Sequence, residues 1–356
     1  MPSQLDVLPI INPQECPGYP MGWIQNQPEN ELNFYINKTE APHIPVGKWE
    51  RIKSWLTCTT QKQNQIASDV LACSLIVSST DNSFELKRGG SNHKDLHIKT
   101  ANIDKSKPVI IICHGYMSWR NQMLLSNLAA RLSEKLSCHT LRFDFSGCGH
   151  STGPWKYANY NQDYDDLCRV VRFVEGDREQ GIGLGCKVWC VIGHSQASIA
   201  MMRLRQDSSG FGNRMFVNLS GRFTIPGDVR PELIYSDKEC EQLQNDGEFQ
   251  VVRSAESGER TVTITLEAVE GRNEFDISTI AASATGLEHI RTLTIHGDAD
   301  NLVPVENAYK FHDVIPNHSL HIVKGADHNY NGLKYMNELV SVTASFLLNH
   351  AATKPA

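Results

Sequence analysis

One serine in this chain stands where a nucleophile could be made. Val188-Trp189-Cys190-Val191-Ile192 is an apolar run that stops at Gly193-His194-Ser195-Gln196-Ala197, and a helix-like run from Ile199 to Leu204 follows. That order is strand, sharp turn, helix, with Ser195 at the apex. Small residues two before and two after the serine let strand and helix approach closely. Alanine at 197 is small, but it takes positive φ less cheaply than glycine, so the fit to such an elbow is imperfect.

A serine hydroxyl is a poor nucleophile at neutral pH. It needs a base to take its proton and an acid to orient that base and stabilise its charge. In the chain order serine, acid, histidine, the acid follows a late strand and the histidine follows the last one. Both slots are filled. Arg291-Thr292-Leu293-Thr294-Ile295 runs into His296-Gly297-Asp298-Ala299-Asp300-Asn301-Leu302-Val303-Pro304. Ser319-Leu320-His321-Ile322-Val323 runs into Lys324-Gly325-Ala326-Asp327-His328. Composition alone leaves Asp298 and Asp300 as rival acids. Asp327, adjacent to His328, reads as a turn carboxylate. His328 occupies the loop after the final strand, whereas His114, His194 and His296 read as hydrogen bonders that brace loops.

The tetrahedral intermediate of acyl transfer needs donors aimed at its oxyanion. The residue after the nucleophile, here Gln196, offers one backbone N–H. Tyr116, in the loop after His114-Gly115, is placed to offer the other.

These residues need a scaffold that brings strand ends together. Pro108-Val109-Ile110-Ile111-Ile112-Cys113 is continuously apolar, as a strand buried on both faces should be. Leu124, Leu128, Leu132 and Leu136, four apart, then predict a helix. His139–Phe145, Met215–Leu219 and the two late runs add strands. Tyr164, Leu167, Val171 and Val174 mark a second helix, and Leu339, Val342 and Phe346 a closing one. Such alternation predicts an α/β fold, a mostly parallel central sheet with helices on both faces. Leu75–Val77, Phe84–Leu86 and Leu96–Ile98 read as early antiparallel strands. About 70 residues separate Leu219 from Arg291, far more than an ordinary connection. They hold a hairpin-like pair, Phe249–Val252 and Thr261–Leu266, and residues 222–288 are expected to form a lid over the carboxyl edge of the sheet. Residues 1–75, with Trp23, Trp49 and Trp55, are expected to form an N-terminal extension of irregular structure and no assigned role. Residues 76–350 would be the domain and 351–356 a tail.

Composition excludes little but points one way. The formal net charge is −6 and no basic run occurs, so no nucleic-acid partner is expected. No apolar run reaches about 18 residues, so no membrane insertion is expected. The ten cysteines form no C-x-x-C pair, and several lie in apolar strands. With no basic-then-apolar leader at the N-terminus, a reduced, cytoplasmic protein is expected. Asn37-Lys38-Thr39 and Asn218-Leu219-Ser220 are then chance matches to a glycosylation pattern. Ser146–Gly153 resembles a phosphate loop but lacks the Gly-Lys-Ser/Thr ending. Cys148 and His150 alone are weak metal ligands. No cofactor or metal is expected.

Taken together, His114-Gly115, Arg142–Ser151, Gly193–Ala197, His296–Pro304 and Gly325–His328 resemble the α/β-hydrolase fold. More narrowly they resemble its cinnamoyl (feruloyl) esterase-like, serine-aminopeptidase-like branch, over about residues 80–350. The resemblance implies a Ser195–His328–Asp300 triad, because the family's acid is the Asp before x-x-Val-Pro. It implies an oxyanion hole at Tyr116 and Gln196 and a small-molecule acyl substrate. The expected activity is ester hydrolysis through an acyl-enzyme on Ser195. Amide or thioester hydrolysis or acyl transfer would use the same triad, and a non-catalytic binding protein would not need it.

Overall fold

Val109–Cys113 (β3) is the strand from which the rest of the fold can be laid out. All five residues are buried. Val109, Ile111 and Cys113 enter one apolar cluster, and Ile110 and Ile112 enter the other. The strand's two-residue period therefore feeds two cores, one on each face of a sheet. Truncating one of these isoleucines to alanine would cost about 2–5 kcal/mol.

The computed structural model describes residues 31–37, 70–78, 103–176, 183–207, 214–223, 236–255, 258–273, 275–283, 287 and 289–351. Around β3 stand Glu31–Asn37 (β1), Val70–Ile76 (β2), His139–Phe143 (β4), Val188–His194 (β5), Met215–Leu219 (β6), Arg291–Gly297 (β9) and His318–Val323 (β10). Their order across the sheet is β1-β2-β4-β3-β5-β6-β9-β10. From β4 to β10 every pairing is parallel, while β1–β2 and β2–β4 are antiparallel. This is the α/β-hydrolase fold that the motifs lead one to expect.

Helices cover both faces. Met123–Leu136 (α1) and Leu333–Ala351 (α8) pack on one side through Leu125, Leu128, Leu339 and Leu347. Tyr160–Glu175 (α2), Ala197–Gln206 (α3), Ile277–Ala282 (α6) and Glu306–Val314 (α7) pack on the other. Among the described residues, no helix is long and apolar enough to cross a membrane.

Two strands precede residue 76, the expected start of the domain. The β1 strand belongs to the sheet by full antiparallel register with β2, from Glu31 against Ile76 to Asn37 against Val70. A buried ion pair fixes it further, Glu31 Oε1 lying 2.5 Å from the Arg142 guanidinium of β4. The supposed arm thus contributes an edge of the core. Phe84–Leu86, Leu96–Ile98, Trp23, Trp49 and Trp55 lie outside the described residues.

The long insertion also has its own structure. Asp237–Asp246 (α4) opens with a full capping box between Ser236 and Glu239. Glu248–Ala255 (β7) and Gly258–Thr265 (β8) pair antiparallel as a separate two-stranded sheet, and Leu266–Asn273 (α5) follows directly. Phe249, Val251, Val262 and Ile264 form a third apolar cluster with Leu243 and Tyr157. Tyr116, Met117 and Trp155, from loops at the carboxyl edge of the main sheet, pack against it.

Candidate active site

The chain runs from β3 outward to β4, then crosses back over β3 to β5. A crevice opens at such a reversal, outside the carboxyl ends of the two strands, and ligands bind there in open α/β sheets. The loops leaving β3 and β5 carry Gly115–Tyr116 and Ser195–Gln196.

Ser195 sits in the left-handed region, φ 54°, between β5 and α3. Non-glycine residues in such a conformation cost of order 1–3 kcal/mol and cluster at functional sites. The turn is held by the Ser195 N–H, which donates to Leu219 O at 2.8 Å, and by the Ser198 N–H, which donates to Ser195 O at 3.1 Å. Gly193 is required by close approach, since a methyl there would lie 2.9 Å from Ala197 O. Gly115 is required for the same reason: a methyl on it would meet Ser195 Cβ at 2.9 Å. Ala197 is the first residue of α3, fully buried and outside the left-handed region, so the imperfection read from the sequence is not one. The residue needing positive φ is the serine itself.

Of the two rival acids, Asp300 is the one that meets His328. Its Oδ2 lies 2.7 Å from His328 Nδ1, both side chains buried. Its Oδ1 accepts the N–H groups of Leu302 and Val303. Burial alone would raise the Asp300 carboxyl. Hydrogen bonds from His296, His328 and Val303, with the favourable electrostatics of the His328 ring, outweigh burial and hold it far below the usual carboxylate range. Asp298, by contrast, accepts the Gly325 N–H and is exposed. Asp327 takes the N–H groups of Asn329 and Asn331, a turn carboxylate as expected.

With Asp300 ionised, His328 Nδ1 carries the hydrogen it donates, which leaves Nε2 as a proton acceptor. Among the described residues the Ser195 hydroxyl makes no hydrogen bond to His328. The two loops are nonetheless joined one residue away. His194 Nε2 donates to His328 O at 3.0 Å, and the two rings lie 5.0 Å apart. Burial holds His194 neutral, its pKa lowered to about 3.

The other strand-end histidines also brace loops. His296 Nε2 lies 2.8 Å from Val303 O and 3.2 Å from Asp300 Oδ2, so it donates into the acid loop. His114 Nδ1 contacts Gly115 O at 2.9 Å and its Nε2 accepts the Phe145 N–H at 3.0 Å. Burial lowers the His114 pKa.

Of the proposed oxyanion donors, the Gln196 N–H stands at the N-terminus of α3, where it has no intrahelical partner. The Gln196 side chain donates instead to Asp163 Oδ2 at 2.9 Å. Tyr116 lies in a turn closed by the Ser118 N–H on Gly115 O, with Met117 at φ 46°. Its ring meets Trp155 and Tyr157 edge-on at 5.7 and 5.8 Å. The β7–β8 cluster of the insertion also packs against Tyr116 and Met117 of this turn.

Sequence reasoning missed Tyr330. Its fully buried hydroxyl accepts from Ser220 Oγ at 3.0 Å and donates to Ile295 O at 2.8 Å. One phenol so ties the His328 loop to the ends of β6 and β9. The Gly-rich segment 146–153 wraps a buried Asp144 instead of a phosphate. The Asp144 carboxylate pairs with Arg120 and takes the His150 N–H, and a methyl on Gly149 would overlap it. Asn218 is fully buried and donates to Thr294 Oγ1, which excludes a glycan there in the folded chain.

The sequence profile of the alpha/beta hydrolase family matches residues 110–334. The chain is 25% identical over 249 residues to the uncharacterized protein YDL057W of Saccharomyces cerevisiae, which covers 65% of this chain and 71% of that protein. Est1E from Butyrivibrio proteoclasticus superposes with TM-score 0.54 at 17% identity, covering 81% of this chain and 98% of that one. The same protein has been solved with ferulic acid bound. Alpha/beta hydrolase domain-containing protein 10 from mouse gives TM-score 0.52 at 16% identity, over 81% and 97% of the two chains.

Proposed function

The chain belongs to the alpha/beta hydrolase family, and from that premise we propose that it is a serine hydrolase acting through an acyl-enzyme on Ser195. The observation that carries this reading is the His328–Asp300 pair, one hydrogen bond removed from the elbow that holds Ser195 at φ 54°.

In the proposed reaction Ser195 Oγ attacks an acyl carbonyl while His328 Nε2 takes its proton. Asp300 orients the imidazole and stabilises its charge. The backbone N–H groups of Gln196 and Tyr116 receive the oxyanion. His328 then gives the proton to the leaving group, the carbonyl–leaving-group bond breaks, and the acyl-enzyme remains. Water, deprotonated by His328, attacks the acyl carbon and releases the acid and Ser195. Substrate draws the nucleophile and base together, since such contacts are often long in free enzymes. Residues 222–288 act as the lid, supported by the contact between the β7–β8 cluster and Tyr116.

We favour a carboxylic ester as the scissile bond, on the resemblance to the feruloyl esterase-like branch. The test is labelling by a fluorophosphonate, followed by a panel of esters, anilides and thioesters. Methyl ferulate joins that panel because Est1E, of like fold, has been solved with ferulic acid. Labelling that persists in Ser195→Ala would sink the reading. Turnover of anilides without turnover of esters would move it to amide hydrolysis.

A further inference from the structure

A pocket of about 340 Å³ lies between the turn after β3 and the loop that carries His328. We propose that it is the subsite for the leaving group, and that it takes a neutral alcohol bearing one aromatic ring system. This rests on the serine hydrolase reading and extends it.

Placement supplies the first argument. General-acid catalysis sends the proton of His328 to the leaving oxygen, so the departing group must lie on the His328 side of the carbonyl. One wall of the pocket begins at Tyr116 and Met117, and the facing wall at Asn329, next to His328. Met117 also lines the narrow slot bounded by Gly115 and Gln196 at the elbow. Met117 is the residue the two spaces share, which sets the pocket beside the turn that would receive the oxyanion. Met117 is held in the left-handed region, φ 46°, at the junction of the two spaces.

The lining supplies the chemistry. Trp119, Met117, Met123 and Met336 give it aromatic and thioether walls, which suit a flat ring. Among the described residues none lining it carries a charge, so a cationic or anionic leaving group would find no charged partner there. Three of the polar side chains hydrogen-bond to one another: Ser118 Oγ donates to Gln122 Oε1 at 2.7 Å, and Gln122 Nε2 to Asn329 Oδ1 at 3.1 Å; Asn331 Nδ2 donates to Asp327 Oδ2 instead. That chain also pins the two walls together. The volume lies at the lower end for small-molecule sites, about 300–1,000 Å³, which favours one or two fused rings over a long chain.

The experiment uses the full chain and two readouts. Binding of 2-naphthylmethanol is measured by calorimetry, and kcat/KM is measured for butyrate esters of methanol, 2-naphthylmethanol and choline. Met123→Trp fills the pocket from one wall. Asn331→Trp, at an exposed position, fills it from the other and guards against a variant that fails to fold. The naphthylmethyl ester is expected to be preferred over methyl and choline esters by about tenfold or more. In each folded variant, both that preference and the affinity for the free alcohol should fall about tenfold. Unchanged binding and preference in both variants would overturn the subsite. So would weaker alcohol binding with the ester preference intact, because the pocket would then lie off the reaction path. A protein whose Ser195 is not labelled by a fluorophosphonate refutes the hydrolase reading and the subsite with it. Labelling with no alcohol preference refutes the subsite alone.

Discussion

Asp300 grips His328 with one carboxylate oxygen and its own loop with the other. Oδ2 reaches His328 Nδ1 at 2.7 Å, while Oδ1 holds the Leu302 and Val303 N–H groups at 2.9 and 2.8 Å. The second grip fixes the first, so the imidazole is aimed by backbone as well as by charge. Asp300→Asn should therefore keep the fold and lower kcat by about a thousand to ten thousandfold, with the histidine left in the wrong tautomer. Asp298→Asn, on the exposed face of the same loop, should leave kcat within about twofold. Steady-state kinetics on both variants decide between the acids; the reverse pattern would reassign the role.

Ala197 invites a simple engineering error. A glycine there would look closer to the usual elbow, but the position is helical and fully buried. Ala197→Gly should bring no gain in kcat/KM and should lower stability by about 0.5–1 kcal/mol, read from the urea midpoint.

Asp163 should set part of the pH dependence of stability. Burial pushes its carboxyl up to about 7, against the hydrogen bond from Gln196, with Asp166 adding to the rise. In the unfolded chain it titrates near about 4. Between those values the folded protein holds a proton that the unfolded chain has released, so stability falls as pH rises through that window. Asp163→Asn should flatten the fall and stabilise the protein at pH 8 by on the order of 1 kcal/mol. Urea titrations from pH 4 to 8 measure it, and an identical slope in the variant would contradict the assignment.

Glu31 tests whether the early segment belongs to the core. Its carboxylate meets the buried Arg142 guanidinium, which also donates to Arg120 O and Asn121 Oδ1. Glu31→Ala would leave that cation short of its counter-charge, at a cost of about 3–5 kcal/mol. A melting temperature unmoved by the substitution would show β1 to be dispensable.

That strand also marks the limit of what the residues disclosed. The parallel strands were legible because burial on both faces makes them continuously apolar, as in Val109–Cys113 and Val188–Ile192. The His328–Asp300 pairing was legible through chain order and the Asp-x-x-Val-Pro register. The β1 strand, Glu-Leu-Asn-Phe-Tyr-Ile-Asn, stands at the end of the sheet order amid polar sequence neighbours, and its alternation of Leu32, Phe34 and Ile36 with polar residues was too short to stand out. The α4 helix hid for a related reason, with Leu243 its one buried residue. Tyr330 was invisible because its role depends on meeting Ser220 and Ile295, 110 and 35 positions away. Pairings over such distances leave no local periodicity to read.

Among the described residues the β10 strand has a neighbour on one side only, and five of its six residues are merely half-buried. The proposed base, His328, hangs from the loop at its end, whereas the proposed nucleophile, Ser195, hangs from β5 in the middle of the sheet. Sheet margins open locally at lower free energy than centres do. In the proposed mechanism, catalytic competence would therefore depend on a margin of the scaffold. In mild denaturant, turnover should fade before the amides of β3 and β5 lose their protection from hydrogen exchange, so that a population of intact but idle molecules precedes unfolding.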